Sequence, residues 1–215
     1  MNVLVVGSTR GTGRAVVQTL IERGHRVTAL SRSGTAAPPF DDRVRVVQGD
    51  ALEAADLDRA VPGHDAVVVS LGVSQNPFAM RFKIGLTTPP DVVSRGTAAV
   101  LEAMRRHGVR RLVVVSAFGV AESWGDVPLP LRVFFRLFLM DSFRDKAVQE
   151  AAVHASDADW TVLRPVGLTD KPATGDYAAD PREAHSSTIA RADVADYAVR
   201  ALEDGLAVGQ TVTLS

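Results

Sequence analysis

Apolar and polar positions alternate on two length scales along the chain. Short, nearly continuous runs rich in Val and Leu predict strands at Asn2–Val6, Arg26–Leu30, Arg43–Val47, Ala66–Ser70, Arg111–Ser116, Trp160–Leu163 and Gln210–Leu214. Such runs fit strands buried on both faces, as in a parallel sheet. Longer stretches of helical period separate them. One covers Thr12–Arg23 and stops at Gly24; another opens at Thr88-Pro89-Pro90, runs to His107 and stops at Gly108; a third covers Asp193–Glu203 and ends near Gly205. Each pairs a start signal with a glycine stop. The alternation persists over residues 1–215 with no internal repeat and no linker. It predicts one α/β domain, a doubly wound parallel sheet of about seven strands with helices on both faces.

Three segments interrupt the rhythm: Ser33–Asp42, Leu71–Thr88 and Pro165–Ala190. Long connections in compact domains are commonly functional. Two of these follow strand carboxyl ends, where open α/β sheets bind ligands. Loops 71–88, 117–140 and 165–190 are therefore expected to build a substrate cleft.

Composition narrows the chemistry. The 215 residues are 46% hydrophobic and 23% charged, with a net charge of −1. No global basic field is present to recruit nucleic acid. Cysteine is absent, which removes thiol catalysis, disulfides and Cys-ligated zinc. His25, His64, His107, His154 and His185 show no metal-ligand spacing, so no metal is expected. A strand-like start, "NVLVV", and no apolar span of membrane length lead us to expect a cytoplasmic protein without a membrane span.

The most informative stretch is "VVGSTRGTGRAVV". Gly7, Gly11 and Gly13 fall between the first strand and the first helix. Gly7 suits a tight turn, Gly11 lets a diphosphate approach the backbone, and Gly13 lets the helix pack on the sheet. The helix then presents free N–H groups and partial positive charge. In this strand–turn–helix context the pattern predicts a Rossmann-type dinucleotide site containing Gly7, Thr9, Arg10, Gly11, Thr12 and Gly13. NAD-binding folds place a carboxylate after the second strand to hold the ribose 2′-hydroxyl. Here Ser31 and Arg32 stand at that place. Arg32, with Arg10 in the turn, fits a 2′-phosphate, which favours NADP(H); the alternative for Arg32 is a solvated loop charge. Asp50 and Ala51 follow the third strand, where the Asp50 carboxylate can meet the adenine or cap a helix starting at Ala51. Ser70, Leu71 and Gly72 follow the fourth strand and are expected beside the cofactor.

With these residues in hand, the chain resembles short-chain dehydrogenases/reductases, and more closely their atypical NAD(P)H-binding branch of biliverdin reductase B/flavin reductase and NmrA-like proteins. The resemblance is carried by "GSTRGTG", "VTALSR", "VVQGDALEAADLDRAVPGHDAVVVSLG", "VVVSAF" and "GLTDKPATGDY". Arg10 stands where that branch usually has a middle glycine. The resemblance implies a lysine on the nicotinamide ribose, here Lys146, and an active-site serine closing the fifth strand, here Ser116. Backbone groups at Pro165 and Val166 are implied near the nicotinamide carboxamide. The tyrosine that precedes the lysine by four residues in the wider superfamily is replaced by Ser142; the tyrosines present are Tyr177 and Tyr197. Other readings of these residues are a Lys146–Glu150 surface pair, strand-end capping by Ser116 and a surface charge at Arg164.

A serine hydroxyl is a poor proton source near neutral pH, so ordinary ketone reduction is disfavoured. A flavin, quinone or tetrapyrrole can accept hydride without a positioned phenol, because hydride chemistry belongs to the cofactor. The expected activity is NADPH-dependent reduction of such an acceptor, with Ser116 and Lys146 as catalytic residues and Phe118, Trp124 and His185 lining the substrate side. A non-catalytic NADP(H) sensor is the alternative, favoured by the missing tyrosine; an epimerase ranks last. The apolar "PLPLRVFFRLFLM", Pro128–Met140, reads as a core or lid helix, an acceptor wall or a homodimer surface. Arg32→Glu is expected to shift preference from NADPH toward NADH by several-fold, measured by competitive titration; unchanged selectivity would remove Arg32 from the site.

Overall fold

Along β1 (Asn2–Val6), Val3 and Val5 point into one apolar layer, and Leu4 and Val6 into the other. This period of two recurs across the sheet. Val68, Val113 and Val115 join the first layer, while Val67, Val69, Leu112 and Val114 join the second. The first layer is closed by α1 (Gly11–Glu22) and α5 (Arg191–Glu203), the second by α2 (Ala54–Ala60), α3 (Val92–His107) and α4 (Met140–His154). Strands buried on both faces need helices on both faces, hence the near-continuous apolar runs.

The computed structural model describes residues 1–33, 44–72, 88–127, 132, 136–137, 139–181 and 184–215. Its remaining strands are β2 (Arg26–Ser31), β3 (Val44–Gln48), β4 (Ala66–Val69), β5 (Arg111–Val115), β6 (Asp159–Pro165), β7 (Gly167–Thr169), β8 (Ala179–Asp180), β9 (Thr188–Ala190) and β10 (Gln210–Leu214). The large sheet runs β3-β2-β1-β4-β5-β6-β10-β8. All its pairings are parallel except β10 with β8. Among the described residues it thus has eight strands where about seven were expected. The addition is the two-residue antiparallel edge β8, inside the segment read as loop 165–190. The same segment supplies β7 and β9, a separate parallel pair in which Leu168 faces Ile189 in register. Strands of two or three residues carry too little periodicity to be seen in sequence. Helix α2 begins at Ala54, three residues after the expected Ala51, and α5 begins two residues before the expected Asp193.

Strand order reverses between β1 and β4, which creates the crevice where such sheets bind ligands. The turn after β1 is packed backbone to backbone there. Ser70 N–H donates to the Val6 carbonyl at 2.8 Å. A Cβ on Gly7, whose φ is +89°, would lie 2.4 Å from the Ser70 carbonyl oxygen, and one on Gly13 would lie 2.0 Å from the Gly7 carbonyl oxygen. Gly13→Val should therefore push α1 off the turn at a cost of about 1–3 kcal/mol. A fall in Tm of roughly 3–10 °C together with lost dinucleotide binding is expected; a variant with wild-type Tm and binding would refute the contact.

Candidate functional site

A cleft of about 570 Å³ opens over the carboxyl ends of β1, β2, β3, β4 and β5. At its centre lie Gly7, Thr9, Arg10, Gly11 and Thr12. Arg10 takes the N-cap position of α1 in extended backbone (φ −146°, ψ 167°) without capping the helix by its side chain, and the first turn holds no acid. Uncapped N–H groups and unopposed positive charge thus face the cleft. Around the Cβ direction of Gly11 the nearest atom is Arg191 Nε at 3.7 Å, so the backbone is open to a ligand there.

At the β2 end, Ser31, Arg32 and Ser33 line the cleft. Ser31 Oγ lies 3.1 Å from Ser33 Oγ, and Arg32 Nη2 donates to Thr88 Oγ1 at 3.4 Å. Asp50 and Ala51 close this end. Asp50 does not cap α2, whose N-cap is Glu53. Its Oδ1 instead accepts from Leu52 N–H (3.0 Å), and its own N–H donates to Asp56 Oδ2 (2.7 Å). The Asp50 N–H, then the Arg59 guanidinium, hold the Asp56 carboxyl below the usual carboxylate range. Ser70, Leu71 and Gly72 form the side beneath β4.

At the β5 end, Ser116 and Lys146 face the same space. Ser116 is 4% exposed, and its Oγ has no hydrogen-bond partner among the described residues. An orphaned buried hydroxyl is rare enough to need a reason, and its position in the cleft wall supplies one: a ligand group. Lys146, on α4, donates to the Val115 carbonyl at 3.3 Å. Burial lowers its pKa to about 8, against the opposing pull of Glu150 and Asp145. Among the described residues no Lys146–Glu150 pair forms. The buried Glu150 carboxylate binds Arg164 instead, at 2.5 and 3.1 Å, and Arg164 also reaches Glu122 at 2.7 and 3.1 Å. Arg164 is 3% exposed, so it is a buried tie rather than a surface charge. Asp145 accepts from Val93 and Ser94 N–H, at 2.9 and 3.1 Å, and so satisfies the start of α3 from α4.

Other sequence-predicted residues lie elsewhere. Gly13 sits beneath the turn. Val166 is buried in the first apolar layer, and Pro165 accepts from Phe118 N–H at 2.9 Å. Phe118 packs against that layer, and Trp124 meets Phe143 edge-on at 6.4 Å. His185 lines a second cavity of about 470 Å³ and lies 3.6 Å from Asp180. No tyrosine lines the cleft. Tyr177 donates to Asp196 at 2.6 Å and stacks edge-on with Tyr197; burial, then that bond, pushes its phenol up to about 12. Most of Pro128–Met140, residues 73–87 and residues 34–43 fall outside the described residues. Within the apolar segment, Arg132 donates to the carbonyls of Val127 (2.6 Å) and Gly125. Sequence reasoning missed Thr88, Leu168 and Arg191, all of which line the cleft. The start of α5 would have signalled Arg191 had it been placed two residues earlier. Among the described residues there is no group of His, Asp or Glu suited to a metal, and no helix long and apolar enough to cross a membrane.

Comparison with known proteins agrees with this geometry. Residues 7–205 match the model of an NAD(P)H-binding family. An uncharacterized chloroplastic protein of Arabidopsis thaliana is 30% identical over 205 residues, 93% of this chain and 71% of its own length. The 3-diazoavenalumate denitrifying reductase of a Streptomyces species is 34% identical over 192 residues; the match covers 84% of this chain and 60% of the reductase. Among solved structures, a short-chain dehydrogenase/reductase from Veillonella parvula in complex with NADP superposes with a TM-score of 0.81 at 18% identity, covering 100% of this chain and 94% of that one. A glycine turn at the switch point, an uncapped helix start and a cleft with cations at both ends are features this match explains: the chain belongs to the NAD(P)H-binding family of Rossmann-fold proteins.

Proposed function

We propose that the protein is an NADPH-dependent reductase that passes hydride to a conjugated, electron-poor acceptor of the flavin, quinone or tetrapyrrole kind. The observation that carries this reading is the buried, unpartnered Ser116 hydroxyl beside Lys146, in a cleft that no phenol lines. NADPH, when bound, supplies the hydride. The residues of the chain do the rest. The backbone of Gly7–Gly11 and the start of α1 hold the diphosphate. Arg32 and Arg10 hold the 2′-phosphate, and Asp50 and Ala51 border the adenine. Lys146 donates to the nicotinamide ribose hydroxyls, and Ser116 donates to the nicotinamide carboxamide or to the acceptor.

No tyrosine lines the cleft, so the proton reaches the reduced acceptor from solvent, directly or through the Lys146 ammonium, which burial makes a stronger acid than a phenol. Such a supply suits an acceptor whose reduced form does not need protonation in concert with hydride arrival. The name of the Streptomyces relative, a reductase of a diazo compound, supports reduction of an electron-poor group. The absent phenol also favours a second reading, an NADP(H)-binding sensor without turnover.

Steady-state oxidation of NADPH with FMN, menadione and biliverdin separates the two. Turnover with at least one acceptor is expected; tight NADPH binding with no turnover would establish the sensor. Ser116→Ala should lower kcat/KM for the acceptor about three- to tenfold, the worth of one neutral hydrogen bond of about 1 kcal/mol, and by more than it lowers NADPH affinity if the hydroxyl meets the acceptor. The Lys146 ammonium, which loses its proton near pH 8 in the free protein, is the form that attracts the cofactor. Affinity for NADPH should therefore fall as pH rises through 8, by up to about tenfold between pH 7 and pH 9. Calorimetric titration across that range checks it, and the slope should vanish in Lys146→Met.

A further inference from the structure

Arg191 is the first residue of α5 and lies against the start of α1, its Nε 3.7 Å from the point where a Gly11 Cβ would be. The positive end of α1 and the Arg191 guanidinium therefore meet at one spot of the cleft wall. That arrangement is electrostatically unfavourable unless an anion joins it. The first turn of α1 offers none. The acid in the first turn of α5, Asp193, is turned away, accepting from Thr174 and Gly175 N–H at 2.9–3.2 Å. The anion that meets Arg191 is Asp170, at 2.7 Å from Nη1. This pair is weak by construction: the Asp170 side chain is 89% exposed, and exposed ion pairs contribute little. Both partners sit at the ends of the β7–β9 pair, which fixes Arg191 over Gly11 and sets Leu168 in the cleft wall.

We propose that Arg191 is a diphosphate-binding residue that leaves Asp170 for the bridging phosphates of the cofactor when they settle on the open backbone of Gly11. This assignment rests on the cofactor reading above. It divides the cationic work of the cleft. Arg32 stands at the adenosine end, beside Ser31 and Ser33, and recognises what distinguishes NADPH from NADH. Arg191 stands over the helix start and recognises what the two share. A guanidinium matches the paired oxygens of a diphosphate through two parallel N–H donors, and Asp170 holds that fork in reach while the diphosphate is absent.

The test compares wild type, Arg191→Gln, Asp170→Asn and the double variant by calorimetry with NADPH and NADH, and by ligand-observed NMR with 2′-AMP, which lacks the diphosphate. Arg191→Gln should weaken NADPH and NADH alike, each about tenfold, with their ratio and 2′-AMP binding unchanged. Retained 2′-AMP binding also shows that the variant is folded. Asp170→Asn should strengthen NADPH binding several-fold in the wild-type background and leave it unchanged in Arg191→Gln, because the carboxylate acts by competing for the guanidinium. An Arg191→Gln protein that binds NADPH like wild type overturns the assignment alone. So does a loss that extends equally to 2′-AMP, or an Asp170→Asn gain that survives without Arg191. Wild-type protein that binds 2′-AMP and NADPH equally poorly overturns the cofactor reading and this assignment with it.

Discussion

Three backbone segments meet at the carboxyl end of β1 with no side chain between them. The turn at Gly7 lies on the Ser70 carbonyl at the end of β4, and α1 lies on the Gly7 carbonyl through Gly13. Everything in the cleft depends on this approach. It brings the start of α1 down to the plane of the strand ends and directs its free N–H groups into the crevice between β1 and β4. It also leaves the Gly11 backbone bare. A single methyl group at Gly7 or Gly13 would meet a carbonyl oxygen at a distance no packing tolerates, so the glycines here are a steric requirement of the site's architecture.

The cleft is built asymmetrically around that contact. Arg10, Arg32, Arg191 and Lys146 bring positive charge to its wall, and Asp50 is the one carboxylate among its described lining residues. Such a lining selects a polyanion at one end. The other end offers a hydroxyl stripped of partners and an ammonium whose charge burial has weakened. That end holds a hydroxyl donor beside an ammonium that burial makes a stronger acid than an ordinary lysine. The cleft thus divides between a cationic grip around the glycine turn and hydrogen-bond donors at the β5 end.

Lys146 owes its position to a buried ion network one helical turn away. Glu150 on α4 is fixed to Arg164 on β6, and Arg164 also holds Glu122 in the segment after β5. Burying the Arg164 and Glu150 charges is unfavourable on its own, and their paired hydrogen bonds offset much of that cost. The network ties α4 to the sheet and engages Glu150, the carboxylate one helical turn from Lys146, with Arg164. Asp145 joins α4 to the start of α3 in the same way. The helix bearing the lysine is thus fixed on two sides, and its ammonium turns toward the end of β5.

The sequence alone determined the elements whose signals are local. The both-face strands appear as unbroken apolar runs, α1 and α3 end on glycines that the periodicity exposes, and the glycine turn follows from the spacing of Gly7, Gly11 and Gly13. The absence of a tyrosine four residues before Lys146 is likewise plain in the letters, and so is Arg32 in place of an acid. Tertiary structure decided whatever depends on through-space partners. Glu150 was available to Lys146 at helical spacing, yet Arg164, fourteen residues further on, takes it because β6 passes beneath α4. The β7–β9 pair comprises two three-residue strands, too short for any periodicity to announce them, and with them came Leu168, Arg191 and the separation of His185 from the cleft. Hydrophobic burial repeats with the geometry of a strand or helix and is therefore written in short windows of sequence. Charge pairing and the convergence of loop residues are set by chain crossings, which only the folded arrangement specifies.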